Sequence, residues 1–169
     1  ILVSSVRVST ISFAGSGGGS STTAERIEGN RREALHLVER AALDEPDIVC
    51  LPETFTGLGL ETKEWFRSAE AVPGPTTEAL GDIAERHAMY VASPMVEVRG
   101  GKTYNSAVLI DRTGKVIGSY HKMHPTIYEL EAGITPGTEP IVFKTDFGPA
   151  GLATCFDLTC RDVGEGRTG

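Results

Sequence analysis

Apolar and polar residues alternate from Val6 to Phe13 (Val-Arg-Val-Ser-Thr-Ile-Ser-Phe), the period of a half-buried strand. From Ala24 to Leu43 the apolar positions Ile27, Leu35, Val38 and Ala42 are separated by charges, which predicts an amphipathic helix ended by Pro46. Asp47-Ile48-Val49-Cys50-Leu51 then reads as a short strand buried on both faces, and Pro52-Glu53 follows at once. A short helix is expected at Glu64 to Ser68. Beyond the break at Pro73-Gly74-Pro75, Thr76 is expected to cap a helix running through Leu80, Ile83 and Ala84 to His87. Met89 to Val98, Tyr104 to Asp111 and Val116 to Tyr120 read as three consecutive antiparallel strands, joined by turns at Gly100-Gly101 and Arg112-Thr113-Gly114. His121 to Pro140 has no period and is rich in Pro, Gly and His. Ile141 to Phe143 and Pro149 to Thr154 close the set, the second as an apolar strand that needs cover on both faces. Helices mixed with parallel and hairpin strands predict an α/β layered fold with a mixed sheet.

Gly15 to Ser21 is a Gly/Ser run, expected to be a loop, because a linker there would orphan a single strand. The 169 residues suit one domain. A net charge of −7 argues against a nucleic-acid partner, since phosphate contacts need a basic face. No apolar run is long enough to span a bilayer, so no membrane partner is expected. Three cysteines cannot all pair within one chain, and their spacing gives no metal motif. A reducing, cytoplasmic compartment and no cofactor are therefore expected.

Three predicted strands end in reactive residues: Glu53, Lys122 and Cys155. Sites in open α/β sheets gather beyond strand ends, so one cleft can hold all three. Taken singly, each has an ordinary explanation. A glutamate after a strand is usually solvated, a lysine usually faces water, and a cysteine usually packs as a small hydrophobe. Taken together they supply a complete reaction: a thiol attacks carbon, a carboxylate moves protons, and a cation steadies an oxyanion. Cys155 stands between Gly151-Leu152-Ala153-Thr154 and a polar run from Asp157 to Arg161 that can open a helix. A helix N-terminus there would favour the thiolate and supply oxyanion donors.

Competing constellations are weaker. His121 and His124 suggest a papain-like Cys–His pair, which arises easily by chance. No CxxC or HxxxH spacing points to zinc. Gly17-Gly18-Gly19 lacks the GK[ST] of a phosphate loop. Cys50 is expected to be an inert core thiol, and Cys160 to point away from Cys155. Trp65 and Phe66 are expected to pack.

Leu51-Pro52-Glu53, Tyr120-His121-Lys122-Met123-His124 and Gly151 to Asp157 together resemble the three signature regions of the carbon–nitrogen hydrolase, or nitrilase, superfamily. Their order matches, and so do the steps of 69 residues from Glu53 to Lys122 and 33 from Lys122 to Cys155. The resemblance implies an αββα four-layer sandwich and a hydrolase of nonpeptide C–N bonds, with a small amide, carbamoyl compound or nitrile as substrate. An amide or carbamoyl substrate is favoured over a nitrile. It implies Glu53 as general base, Lys122 as oxyanion stabiliser and Cys155 as nucleophile of a covalent thioester-type intermediate. The backbone N–H of Phe156 would be a second oxyanion donor, with His124 lining the pocket. A further glutamate is expected between the lysine and Pro136-Gly137; Glu129 fits that place better than Glu131. The family also implies a homo-oligomer.

A complete domain of this kind is longer than the present chain, which ends fourteen residues after Cys155. Residues 1–169 are thus expected to be an incomplete carbon–nitrogen hydrolase domain, truncated at the C-terminus, with the cover for one sheet face supplied by strands after Cys155. Two other functions stay open on sequence grounds: an inactive truncated homologue that acts only by packing with a partner, and a papain-like hydrolase.

Overall fold

A computed structural model of the chain describes residues 5–15 and 21–160. Most of the Gly/Ser run, and the helix start expected at Arg161 to Gly166, lie outside these residues. Five strands form one sheet in the order β1 (Val8–Thr10), β2 (Ile48–Cys50), β3 (Tyr90–Arg99), β4 (Lys102–Ile110) and β5 (Val116–His121). The first three are parallel and the last three antiparallel. β1 is shorter than its alternating pattern suggested and is an edge strand, with Val8 exposed. Ile11 and Phe13, beyond its end, still pack on the core. The hairpin β3–β4 turns through Gly100 and Gly101, both at positive φ (59° and 75°), as a tight turn of the right twist requires.

α1 (Thr23–Ala42) begins at Thr22, whose hydroxyl accepts from the Glu25 N–H while the Glu25 carboxylate accepts from the Thr22 N–H. α2 (Pro75–His87) begins differently from the expectation. Its cap is Gly74, Pro75 fills the first helical position, and the Thr77 hydroxyl bonds the Gly74 backbone. Thr76 turns instead to the Glu70 carboxylate. Ala34, Val38 and Ala42 of α1 and Leu80, Ile83 and Ala84 of α2 bury against Val49, Val91, Met95, Val108 and Ile110, which fixes one face of the sheet.

The opposite face carries Ile48, Tyr90, Ala92, Ala107, Leu109 and Tyr120, and Phe143 closes on it. Phe143 belongs to a separate two-stranded antiparallel sheet, β6 (Val142–Thr145) with β7 (Gly148–Gly151). Two expectations change here. The segment 149–154 is not a strand buried on both faces: β7 ends at Gly151, and its residues are exposed or half-buried. Gly148, Pro149, Ala150 and Gly151 bring little apolar surface, so the hairpin docks through Phe143, with Ile141, Phe147 and Leu152 partly buried. Cover for this face also comes from residues before Cys155, and not solely from strands after it. A second difference lies in the segment read as irregular, where α3 (Ile127–Glu131) forms behind a Thr126 cap.

Arg112 pins the far end of this assembly. It donates to Asp47 ahead of β2, to the Ala88 carbonyl ahead of β3 and to Asp146 in the β6–β7 turn, and it lies over the Tyr90 ring. No helix among the described residues is long and apolar enough to cross a membrane.

Candidate active site

At the end of β2, Leu51 continues the pairing by donating to the Ala92 carbonyl. Three residues later the backbone turns back through a left-handed Thr54 (φ 45°), which leaves Glu53 just past the strand end. At the end of β5, the Lys122 N–H donates to the Asn105 carbonyl (2.9 Å), and the Lys122 carbonyl accepts from Gly137 N–H (2.8 Å). A Cβ on Gly137 would stand 2.1 Å from the His121 carbonyl oxygen, so this close crossing requires glycine. α3 contributes Glu129, which is buried; Glu131 is exposed.

These elements converge. Lys122 Nζ donates to Glu53 Oε1 and to Glu129 Oε2, both at 2.8 Å. Asn105 Nδ2, from the middle of the sheet, donates to Glu53 Oε1 (2.8 Å) and Glu129 Oε1 (2.7 Å). Glu129 Oε2 also accepts from Thr126 N–H at 2.8 Å. Lys122 is 1% exposed and Glu129 2%, so this is a buried cation held between two carboxylates. Burial works against the ammonium, but hydrogen bonds and charges from Glu129 and Glu53 outweigh it and raise the Lys122 pKa. Burial likewise opposes the Glu129 carboxylate, and its bonds to Lys122, Asn105 and the Thr126 N–H outweigh that and lower its pKa.

The two glutamates differ in what remains of them. Both oxygens of Glu129 are engaged. Glu53 receives Lys122 and Asn105 on Oε1 alone. Glu53 is also the carboxylate whose charge acts on the Cys155 sulfur and helps to raise its pKa.

Cys155 opens a one-turn 3-10 helix, Cys155–Thr159, in place of the longer helix expected after it. Its φ is +48°, in the left-handed region that side chains avoid, and its thiol is exposed. Desolvation and the Glu53 charge push the thiol pKa up, against the pull of Lys122 and the Phe156 N–H. The expectation of a stabilised thiolate is thus corrected. A single short turn has little dipole to offer, and the nearby carboxylate outweighs it.

Asp157, two residues on, is fully buried. It accepts from Tyr120 OH (2.7 Å), Thr154 N–H (3.1 Å) and His124 N–H (2.9 Å), with His124 Nδ1 at 3.3 Å. Residues on both sides of Lys122 are thereby tied to the turn that bears Cys155. His124, expected to line the pocket, is half-buried and turned to Asp157. His121 stacks on Tyr104 (4.0 Å between centroids) and meets the buried Glu97 at 3.1 Å, which also accepts from Ser106. The Phe156 N–H pulls the Cys155 thiol pKa down, and the Phe156 ring is exposed. Cys50 has its thiol pKa raised by burial, and Trp65 is half-buried with Phe66 exposed.

The sequence reading missed Asn105 and Asp157. A polar residue within the apolar run Ala107 to Ile110 and its approach was the available signal for the first. For the second it was the repeat of a carboxylate two positions after the thiol. Among the described residues no cluster of His, Cys, Asp and Glu could hold a metal ion.

A carboxylate and a buried ammonium at two strand ends, with a thiol at the start of a short helix, invite comparison with known proteins. Solved structures share the fold at low identity. An amidase from Nesterenkonia sp. superposes with a TM-score of 0.76 at 16% identity, covering 96% of this chain and 60% of its own. Saccharomyces cerevisiae Nit3, of the nitrilase superfamily, gives 0.74 at 21%, covering 94% and 58%. In sequence, a nitrilase of Pyrococcus abyssi is 36% identical over 132 residues, 76% of this chain and 50% of the relative. A deaminated glutathione amidase of Synechocystis is 30% identical over 151 residues, 81% and 55%. The chain thus spans about half the length of the curated relatives it matches. The carbon-nitrogen hydrolase family model matches residues 13–163, a span that contains Glu53, Lys122, Glu129 and Cys155, and the chain belongs to that family.

Proposed function

We propose that the protein hydrolyses the C–N bond of small carboxamides or carbamoyl compounds through a thioester-type intermediate on Cys155. The observation that carries this reading is Glu53, which accepts from the buried Lys122 ammonium at 2.8 Å and whose charge acts on the Cys155 thiol. Because the resting sulfur is a thiol, attack and proton transfer go together: Sγ bonds the carbonyl carbon as its proton passes to Glu53. The carbonyl oxygen becomes an oxyanion, held by Lys122 Nζ and the Phe156 N–H. The C–N bond then breaks, and the proton on Glu53 goes to the departing nitrogen. Water enters, loses a proton to Glu53 and attacks the thioester carbon. The C–S bond breaks, the acid leaves, and the proton returns to sulfur. Glu129 stays an anion throughout and holds the ammonium in place. The amidase relatives support an amide in preference to a nitrile. The test is hydrolysis of a panel of short aliphatic amides, carbamoyl compounds and nitriles by the full-length protein, with Cys155→Ala alongside. Release of ammonia from amides that disappears in the variant is expected; equal release by the variant would refute the reading.

A further inference from the structure

We infer that Asn105 is a positioning residue for this reaction: its side-chain amide holds Glu53 and Glu129 as two anions around one ammonium, and its backbone carbonyl fixes Lys122. The inference rests on the functional reading above. Asn105 lies within β4, flanked by β3 and β5 in the middle of the antiparallel part of the sheet, and is 1% exposed. One Nδ2 serves two acceptors, Glu53 Oε1 at 2.8 Å and Glu129 Oε1 at 2.7 Å. The same residue receives the Lys122 N–H on its backbone oxygen at 2.9 Å. One strand position therefore touches both carboxylates and the backbone of the residue that bears the ammonium.

The orientation of the amide follows from its acceptors. Turned over, it would set a carbonyl oxygen against two carboxylates. In the observed orientation Asn105 Oδ1 is buried with no hydrogen-bond partner among the described residues. An orphaned buried acceptor is a cost that an aliphatic side chain would avoid. What the asparagine supplies is the pair of N–H groups. Two carboxylates share a single ammonium here, so one excess negative charge is buried with them. Donors that favour the charged form, this amide among them, hold the Glu129 pKa low. The groups facing this cluster are Lys122, the Thr126 N–H and, on the Glu53 side, the Cys155 thiol.

The test needs no natural substrate. The rate at which iodoacetamide alkylates Cys155 is followed by peptide mass spectrometry across pH, in the full-length protein and in Asn105→Asp and Asn105→Ala. Asn105 is among the donors that lower the Glu129 pKa, so alkylation falls on the acid side as Glu129 takes up a proton and releases its hold on Lys122. Asn105→Asp keeps the shape and removes the donors; it is expected to move the acid limb up by about one pH unit and to cut the neutral rate about tenfold or more. Asn105→Ala moves it in the same direction without adding charge, and it is the variant read should the aspartate not fold. Lower melting temperatures with an unmoved limb and unchanged rate would overturn the inference and leave Asn105 a packing residue. Wild-type turnover by Cys155→Ala, or labelling of Cys50 or Cys160 ahead of Cys155, would instead remove the functional reading beneath it.

Discussion

Tyr120 OH donates a 2.7 Å hydrogen bond to Asp157 Oδ2, and through it the strand that carries Lys122 is fastened to the turn that carries Cys155. Both residues are fully buried, so neither can exchange its partner for water. Tyr120→Phe should cost about 1–2 kcal/mol, since the carboxylate keeps its other donors. Asp157→Asn should cost more, because its new N–H₂ must face groups that are themselves donors. It should also slow alkylation of Cys155. Melting curves and labelling rates check both; an Asp157→Asn protein with wild-type stability and labelling would dissolve the proposed tie.

Removing the cation between the glutamates is the next measurement. Lys122→Ala leaves the buried Glu129 carboxylate facing the half-buried Glu53 without a cation and should destabilise by about 3–5 kcal/mol. Together with Glu53→Gln it should also reduce turnover by several orders of magnitude, because the groups act as a unit. Replacing His121 or His124 should reduce turnover far less. Near-normal turnover without Lys122, with loss on replacing either histidine, would move the assignment to a Cys–His mechanism.

Stability against pH follows from the cluster with a definite sign. The Glu129 pKa is lower in the folded state, so its contribution is present above the unfolded carboxylate range. It is lost as pH falls through the folded value. The Lys122 pKa is higher in the folded state, so its contribution is present below the unfolded lysine range and lost as pH rises through the folded value. Urea unfolding across pH should show Glu129→Gln flattening the acid limb and sparing the alkaline one. A variant with the parent's acid limb would contradict this.

Gly137→Ala is a backbone test. The added methyl would collide with the His121 carbonyl, one residue before Lys122, and neither backbone can give way while the Gly137 N–H to Lys122 carbonyl bond holds. A loss of roughly a hundredfold in turnover is expected from displacement of about 1 Å at the ammonium. Unchanged kinetics would show that the Lys122 end of β5 is more pliant than drawn.

Glu53 and Lys122 stand just past strands that the pattern predicted, and a strand end fixes where a side chain emerges; Cys155 instead comes after Leu152 to Thr154, beyond the end of β7. The antiparallel run β3–β4–β5 was legible from its turns. Asn105 was not, because it stands beside Ser106 in the polar approach to the apolar run Ala107 to Ile110, and only the arrival of Glu53 and Glu129 from 52 and 24 residues away makes it a donor. The hairpin β6–β7 was misread because apolar character in Pro149 to Thr154 comes from small residues and glycine, which give little surface to bury. The Thr76 cap failed because Pro75 is preorganised for the first helical position, one residue earlier.

The left-handed backbone at Cys155 sets the protein against itself. Selection for stability alone would place glycine there, because an L side chain at such a φ costs on the order of 1–2 kcal/mol. Cys155→Gly should therefore melt at or above Cys155→Ala while both lose the thiol, and differential scanning calorimetry would show it. The proposed nucleophile then sits at a position where the chain would be sturdier without any side chain. Any search for hardier variants will be drawn to remove the one group on which the proposed chemistry depends.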